Sequence, residues 1–196
     1  MIGAIIGDID GHRYAVNGER LGFSRIPAVC TDLTAFLMET AGWILKIRRG
    51  EPTAALSVSG AKGVILGIVI GYAARGEEEI LGYLRHVAVG PQTICADIGN
   101  LARAVFRARR HEAKEDVLAV YEEAPIGIEA FAQTDTFADA LTTSFALGED
   151  AALDGMVCGA VAGAYYGVDN GMRTTTLTLL SPSMVETLRA FEGEFP

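Results

Sequence analysis

Between Leu147 and Gly167 the chain reads LGEDAALDGMVCGAVAGAYYG, and Gly155, Gly159, Gly163 and Gly167 fall every fourth residue. That spacing marks one face of an α-helix. On another face Leu153, Met156/Val157, Ala160/Val161 and Ala164/Tyr165 recur at the three/four interval of a buried side. Each glycine inside a helix costs roughly 1 kcal/mol relative to alanine. A repeated cost must be offset, and close approach of another backbone along the bare stripe is the physical means. Asp150 falls in the first turn, where free backbone N–H groups and the helix dipole favour a carboxylate. Two readings of it stand open: a helix-start residue, or a site residue at the mouth of a helical core.

A second stripe, Gly63, Gly67 and Gly71, runs through the apolar segment Lys62–Ala74. The two striped helices are therefore expected to pack closely, against each other or against a shared neighbour. Other helices announce themselves by their ends. Thr31 reads as an N-cap with Asp32 in the first turn, and Arg48–Arg49–Gly50 suits the C-terminus of that helix. Further helices are expected from Gly76–Glu79 to about Arg85, over Ile94–Arg110, over Ala113–Glu122 and from Pro125 to Ala132. Thr136 and Asp139 resemble a capping pair for Phe137–Leu147, and Ser181–Pro182 opens a last helix ending near Phe191. His12–Cys30 and His86–Gln92 read as loops. Met1–Gly11 is apolar and fits strand or helix equally, and Thr174–Leu180 (TTTLTLL) is helix-poor by propensity. The expectation is an all-α fold, one compact orthogonal multi-helix domain over 1–196 with about nine helices.

The chain has 196 residues, half of them hydrophobic, and a mean hydropathy of +0.28. No run reaches the roughly 18 apolar residues that span a bilayer, so no membrane partner is expected. No basic region precedes Ile2–Ile6, so no secretory leader is expected. The net charge of −9 argues against nucleic acid as a partner, because no basic stripe offsets it. The Arg103/Arg107/Arg109/Arg110 cluster is followed at once by acids. Cys30, Cys95 and Cys158 lie far apart, with no metal-knuckle or redox spacing, which points to free thiols in a reducing cytoplasm. A calcium loop over Asp8–Glu19 fails because Arg13 stands where the sharp turn needs glycine.

Taken in order, these segments resemble the ADP-ribosylglycohydrolase family, which removes ADP-ribose from modified acceptors using two magnesium ions. Gly3, Ala4, Gly7, Asp8 and Gly11 match its opening motif, and Arg13–Tyr14 fit a frequent continuation. Thr31, Asp32, Leu33 and Thr34 align with its Thr-Asp-Asp-Thr helix start, and Ala54–Ser59 with its Ala-Ala-Met-Arg-Val-Ser segment. Gly148, Glu149, Asp150, Ala151, Ala152 and Leu153 align with its Gly-Gly-Asp-Ser-Asp-Thr motif, followed by a matching helix over Gly159–Gly167. The resemblance implies the family's fold, Thr31, Asp32 and Asp150 as metal ligands, and Asp8, Arg13, Tyr14 and Ser57 as ligand-binding residues.

The departures fall on the chemistry. Leu33 replaces the second aspartate of the first metal motif, and Ala152 and Leu153 replace the aspartate and threonine of the second. Ala15 stands where a glutamate is frequent, and Val87–Thr93 has neither the histidines nor the glutamate of many relatives. Magnesium wants near-octahedral oxygen ligation. At most one weakly held Mg2+ is expected, and no catalytic residue is assigned. The leading expectation is a degenerate member that binds an ADP-ribose-like or other nucleotide without hydrolysis. The alternatives are a reduced but active hydrolase, using Asp32 and Asp150 on one ion or Asp10 and Glu149 as substitutes, and a homo-oligomeric interaction protein.

Overall fold

The axis of the molecule is the helix that the glycine stripe announces. In the computed structural model, residues 1–17, 28–88 and 92–196 are described, the side chains of 17, 88 and 92–95 excepted. The elements in chain order are α1 (Ile2–Asn17), α2 (Asp32–Arg48), β1 (Leu56–Ser57), α3 (Ala61–Ala73), α4 (Glu77–Leu84) and β2 (Val87–Ala88). They continue with α5 (Gln92–Arg109), α6 (Lys114–Leu118), α7 (Ile126–Ala132), α8 (Phe137–Leu147), α9 (Ala151–Tyr165), α10 (Asn170–Leu179) and α11 (Pro182–Glu194). The fold is all-α. Two-residue β1 and β2 form one parallel pair, Leu56 against Val87 and Ser57 against Ala88.

The close packing expected of the stripes is present, and the partners differ from helix to helix. α9 lies antiparallel against α1, glycine to glycine. A Cβ placed on Gly3 would stand 2.2 Å from the Gly159 carbonyl oxygen, one on Gly7 1.8 Å from that of Gly155, and one on Gly11 2.0 Å from that of Ala151. The stripe of α3 meets α5 instead, in the same chain direction: a Cβ on Gly67 would stand 2.9 Å from the Ile98 oxygen, and on Gly71 2.6 Å from that of Ala102. α7 brings Gly127 onto another face of α9, 2.6 Å from the Asp154 oxygen by the same measure. Tyr72 of α3 donates its hydroxyl to the Ala160 carbonyl at 2.8 Å. α9 is thereby clasped from several sides, and Met156, Cys158, Ala160, Val161 and Ala162 are fully buried in it.

The caps fall where the sequence places them. Thr31, Thr136, Asp150 and Ser181 each cap their helix with the side-chain oxygen, and Gly50 ends the α2 region at φ +70°. Three expectations need correction. Helix α1 runs through Asn17, so the loop read from His12 begins later. Its last turns are held by Gly11 on α9, by an Asp10–Arg13 pair at 3.5 Å, and by Tyr14 stacked on Phe145 at 5.7 Å. The rest of that loop, 18–27, and residues 89–91 of the second lie outside the described residues. The helix read over Ala113–Glu122 narrows to Lys114–Leu118, closing in a turn where the Tyr121 N–H donates to the Leu118 carbonyl.

The threonine-rich segment is helical. Asp169 caps α10 by accepting from the Gly171 and Met172 N–H groups. Thr174 and Thr176 return their hydroxyls to carbonyls one turn back, at 2.8 Å each. A β-branched threonine has low helix propensity, but this back-bond satisfies its hydroxyl inside a helix. With these revisions the described residues carry eleven helices.

Candidate functional site

Of the residues expected to form the site, Asp8, Arg13 and Tyr14 lie on α1, Asp150 caps α9, Thr31 and Asp32 open α2, and Ser57 lies apart on β1. Because α1 and α9 are antiparallel, the second half of α1 lies beside the first turn of α9. Asp8 is fully buried there, and its surroundings explain how the chain tolerates that. Thr31 donates its hydroxyl to one carboxylate oxygen at 2.6 Å and its N–H to the other at 3.3 Å. Buried Thr34 donates a second hydroxyl at 2.5 Å. An ionised carboxylate only accepts, and three donors aimed at it replace its lost water. The same Thr31 oxygen accepts from the Leu33 N–H at 3.0 Å and so caps α2. Asp8 therefore couples α1 to the start of α2.

Asp32, in the first turn of α2, points into solvent as an exposed residue. Asp150 is exposed, and its Oδ1 accepts from the Leu153 N–H at 3.1 Å. Of its two readings, the helix-start role is present in the structure. Arg13 donates to Asp10. Burial pushes the Asp10 carboxyl above its usual range, against the pull of Arg13. Ser57 is exposed on β1.

A pair of magnesium ions needs a dense set of oxygen ligands. At the aligned positions, Leu33, Ala152 and Leu153 offer no side-chain oxygen. Asp8 is already met by three donors and Asp150 by one. Among the described residues no three His, Cys, Asp or Glu side chains gather as a cation site. This donor set does not fit a two-ion centre.

A cavity of about 740 Å³ opens next to this region, between the first turns of α3 and α9, the middle of α5 and the 121–126 segment. Its walls include Gly60, Gly63, Asp97, Ile98, Leu101, Tyr121, Glu123, Pro125, Leu153, Asp154 and Val157. The volume lies within the roughly 300–1,000 Å³ range of small-molecule sites. One segment that matches a family motif reaches it, and another ends beside it. Gly60 directly follows the Ala54–Ser59 segment, and Leu153 occupies the place of the second motif's threonine. Asp8, Arg13, Tyr14, Thr31, Asp32, Ser57 and Asp150 are not in its lining.

The polar groups of the cavity are ones that the sequence did not single out. Burial raises the Asp154 carboxyl above its ordinary range. A backbone hydrogen bond at Asp150 opposes this, and the charges of Asp150 and Glu149 reinforce it. The Tyr121 hydroxyl is buried without a hydrogen-bond partner among the described residues. Burial, then the nearby charge of Asp97, hold it well above the usual phenol range. Asp154 had a local signal, since it lies one helical turn after Asp150. Asp97 and Tyr121 had none, because they reach the cavity from different elements.

Comparison with known proteins identifies the family. A sequence model described as ADP-ribosylglycohydrolase matches residues 38–189, which takes in the Ala54–Ser59 segment, Asp150 and the whole of α9. No curated protein sequence matches the chain.

Proposed function

The chain belongs to the ADP-ribosylglycohydrolase family, and from that premise we propose that it is a member which holds an ADP-ribose-like or other nucleotide ligand without hydrolysing it. The observation that carries this reading is the 740 Å³ cavity lined by Leu153, which stands where the second metal motif of the family has a threonine. Hydrolysis needs an activated water, and in a two-ion site the paired charges supply it. Leu33, Ala152 and Leu153 cannot hold those ions. Binding asks for less: an apolar wall, a few acceptors and a backbone that can be approached closely. Ile98, Leu101, Leu153 and Val157 supply the first, Asp97 and Asp154 the second, and Gly60 and Gly63 the third.

The test is thermal unfolding of the full chain with a panel of ADP-ribose, NAD and cyclic nucleotides, alongside an assay for ADP-ribose release from a modified protein. A ligand at a hundredfold excess over its Kd stabilises the fold by about 2.7 kcal/mol. At least one of the panel is expected to raise the melting temperature, with no release above background. No shift across the panel refutes the binding role. Release that disappears in Asp150→Asn refutes the loss of hydrolysis and restores the active-hydrolase reading.

A further inference from the structure

We infer that the groove between α2, α11 and the chain leading into β1 holds an extended segment of a partner protein, basic at one end and acidic at the other. The groove measures about 640 Å³ and shares no lining residue with the α3–α5–α9 cavity, so it stands apart from the nucleotide-holding role. One wall is a single face of α2, where Met38/Glu39, Gly42/Trp43 and Lys46 recur at the three/four interval. Met184 of α11 and Leu56 of β1 add apolar surface.

Another wall is backbone. Leu56 donates its N–H to the His86 carbonyl at 3.3 Å, so β2 takes one edge of β1. Of the backbone groups at 53–55, only the Ala54 carbonyl has a partner among the described residues, the Trp43 indole N–H at 3.1 Å. That bond holds the Trp43 ring against the segment and leaves the neighbouring N–H and C=O groups open. An unpaired edge is a template for a further strand, and such pairing supplies affinity through the main chain.

Two features say what the added strand carries. Gly42 lies inside α2, outside the left-handed region, and a Cβ placed on it would meet nothing within 4 Å. Neither backbone conformation nor packing within the chain calls for a glycine that weakens this helix. A bare position on the wall lets another backbone come close. Glu39 and Lys46 are exposed and form no ion pair among the described residues. Their spacing on α2 puts them about 10.5 Å apart along the axis. In a strand the side chains of residues i, i+2 and i+4 share a face and span about 13 Å. Long charged side chains absorb the difference. A basic residue at one end of the strand meets Glu39, the middle one lies over Gly42 and Trp43, and an acidic residue at the other end meets Lys46. Charges in such exposed positions set orientation and specificity more than affinity.

Titration of the full chain with acetyl-Lys-Thr-Val-Thr-Glu-amide, and with the same residues in reverse order, tests this by tryptophan fluorescence. Trp43 is the only tryptophan in the chain, so the signal comes from the groove. At least one order is expected to give a saturable change, which N-methylation of the peptide's amides should abolish. Acetyl-Glu-Thr-Val-Thr-Glu-amide should bind severalfold more weakly, and Glu39→Gln should erase that preference. Gly42→Leu fills the open space, should keep the native melting temperature, and should weaken binding at least about tenfold. No saturable change with either order overturns the inference. So does equal binding by the N-methylated peptide, by the doubly acidic peptide, or by a folded Gly42→Leu protein. A Trp43 signal that changes with protein concentration alone, together with a dimer in light scattering, overturns it in favour of a second copy in the groove.

Discussion

Gly7→Ala adds one methyl group at the narrowest point of the α1–α9 seam. The new carbon would stand 1.8 Å from the Gly155 carbonyl oxygen, 2.3 Å from its carbon and 2.9 Å from the Met156 nitrogen, where ordinary contact begins near 3.4 Å. All three atoms are backbone, so no rotamer change relieves the clash. The helices must part by about 1.5 Å, and a gap of even 0.5–1 Å forfeits a quarter to a half of each dispersion contact. α9 has little room to retreat, because Gly127 of α7 lies close against another of its faces. Overpacking ordinarily costs about 1–3 kcal/mol, and a clash this deep belongs at or beyond the upper end. Propensity alone favours alanine here by roughly 1 kcal/mol, so packing has to overcome an opposing term. For a chain of this size about 3 kcal/mol lowers the melting temperature by about 6–12 °C. Gly42→Ala is the control. It sits inside α2 with nothing within 4 Å of the added carbon, so the same substitution should stabilise by up to about 1 kcal/mol. Thermal and urea unfolding followed by circular dichroism measure both. A Gly7→Ala protein melting within about 2 °C of the native chain would refute the backbone-contact account of the stripe.

The buried carboxylate yields the next expectation. Thr34→Val removes one hydrogen bond to a charged group and should cost about 1.5–3 kcal/mol, whereas Asp8→Ala orphans three donors and should cost more, both read by urea unfolding. The two glycine stripes should differ in depth: Gly159→Leu, whose Cβ would meet the Gly3 oxygen at 2.1 Å, should lower the melting temperature more than Gly67→Leu, whose nearest contact is 2.9 Å. Equal losses would contradict that ranking. The Asp154 carboxyl titrates above its unfolded value because of burial, so the folded state binds that proton more tightly. Its contribution is present below the unfolded pKa and lost as pH rises through the folded one. Asp154→Asn should therefore raise the melting temperature at pH 7 and leave it unchanged at pH 3; a rise at both would mean that charge is not the cause.

Much of this fold was legible because its signals are local. A cap joins a side chain to a backbone group two or three residues away, so Thr31, Thr136, Asp150 and Ser181 could be read from sequence and are found in those roles. The glycine spacing announced close packing for the same reason, since the stripe is a property of one helix. The family, too, was legible from motifs in order, and the match over 38–189 bears it out. Local propensity misled where a side chain had a second option. The threonines of α10 pay their conformational cost back through hydroxyl bonds to the preceding turn.

The sequence by itself determined that this chain is helical and which helices carry a bare stripe. Tertiary structure alone decided that α9 takes α1 as its close partner while α3 takes α5. It also decided that Asp8 spends its carboxylate on Thr31 and Thr34, and that Asp97, Glu123 and Asp154 share one cavity. A stripe specifies only that some backbone can come near, because a bare glycine face carries no recognition of its own. Which backbone arrives, and which distant side chains then line one cavity, follows from how all the helices fill a common interior.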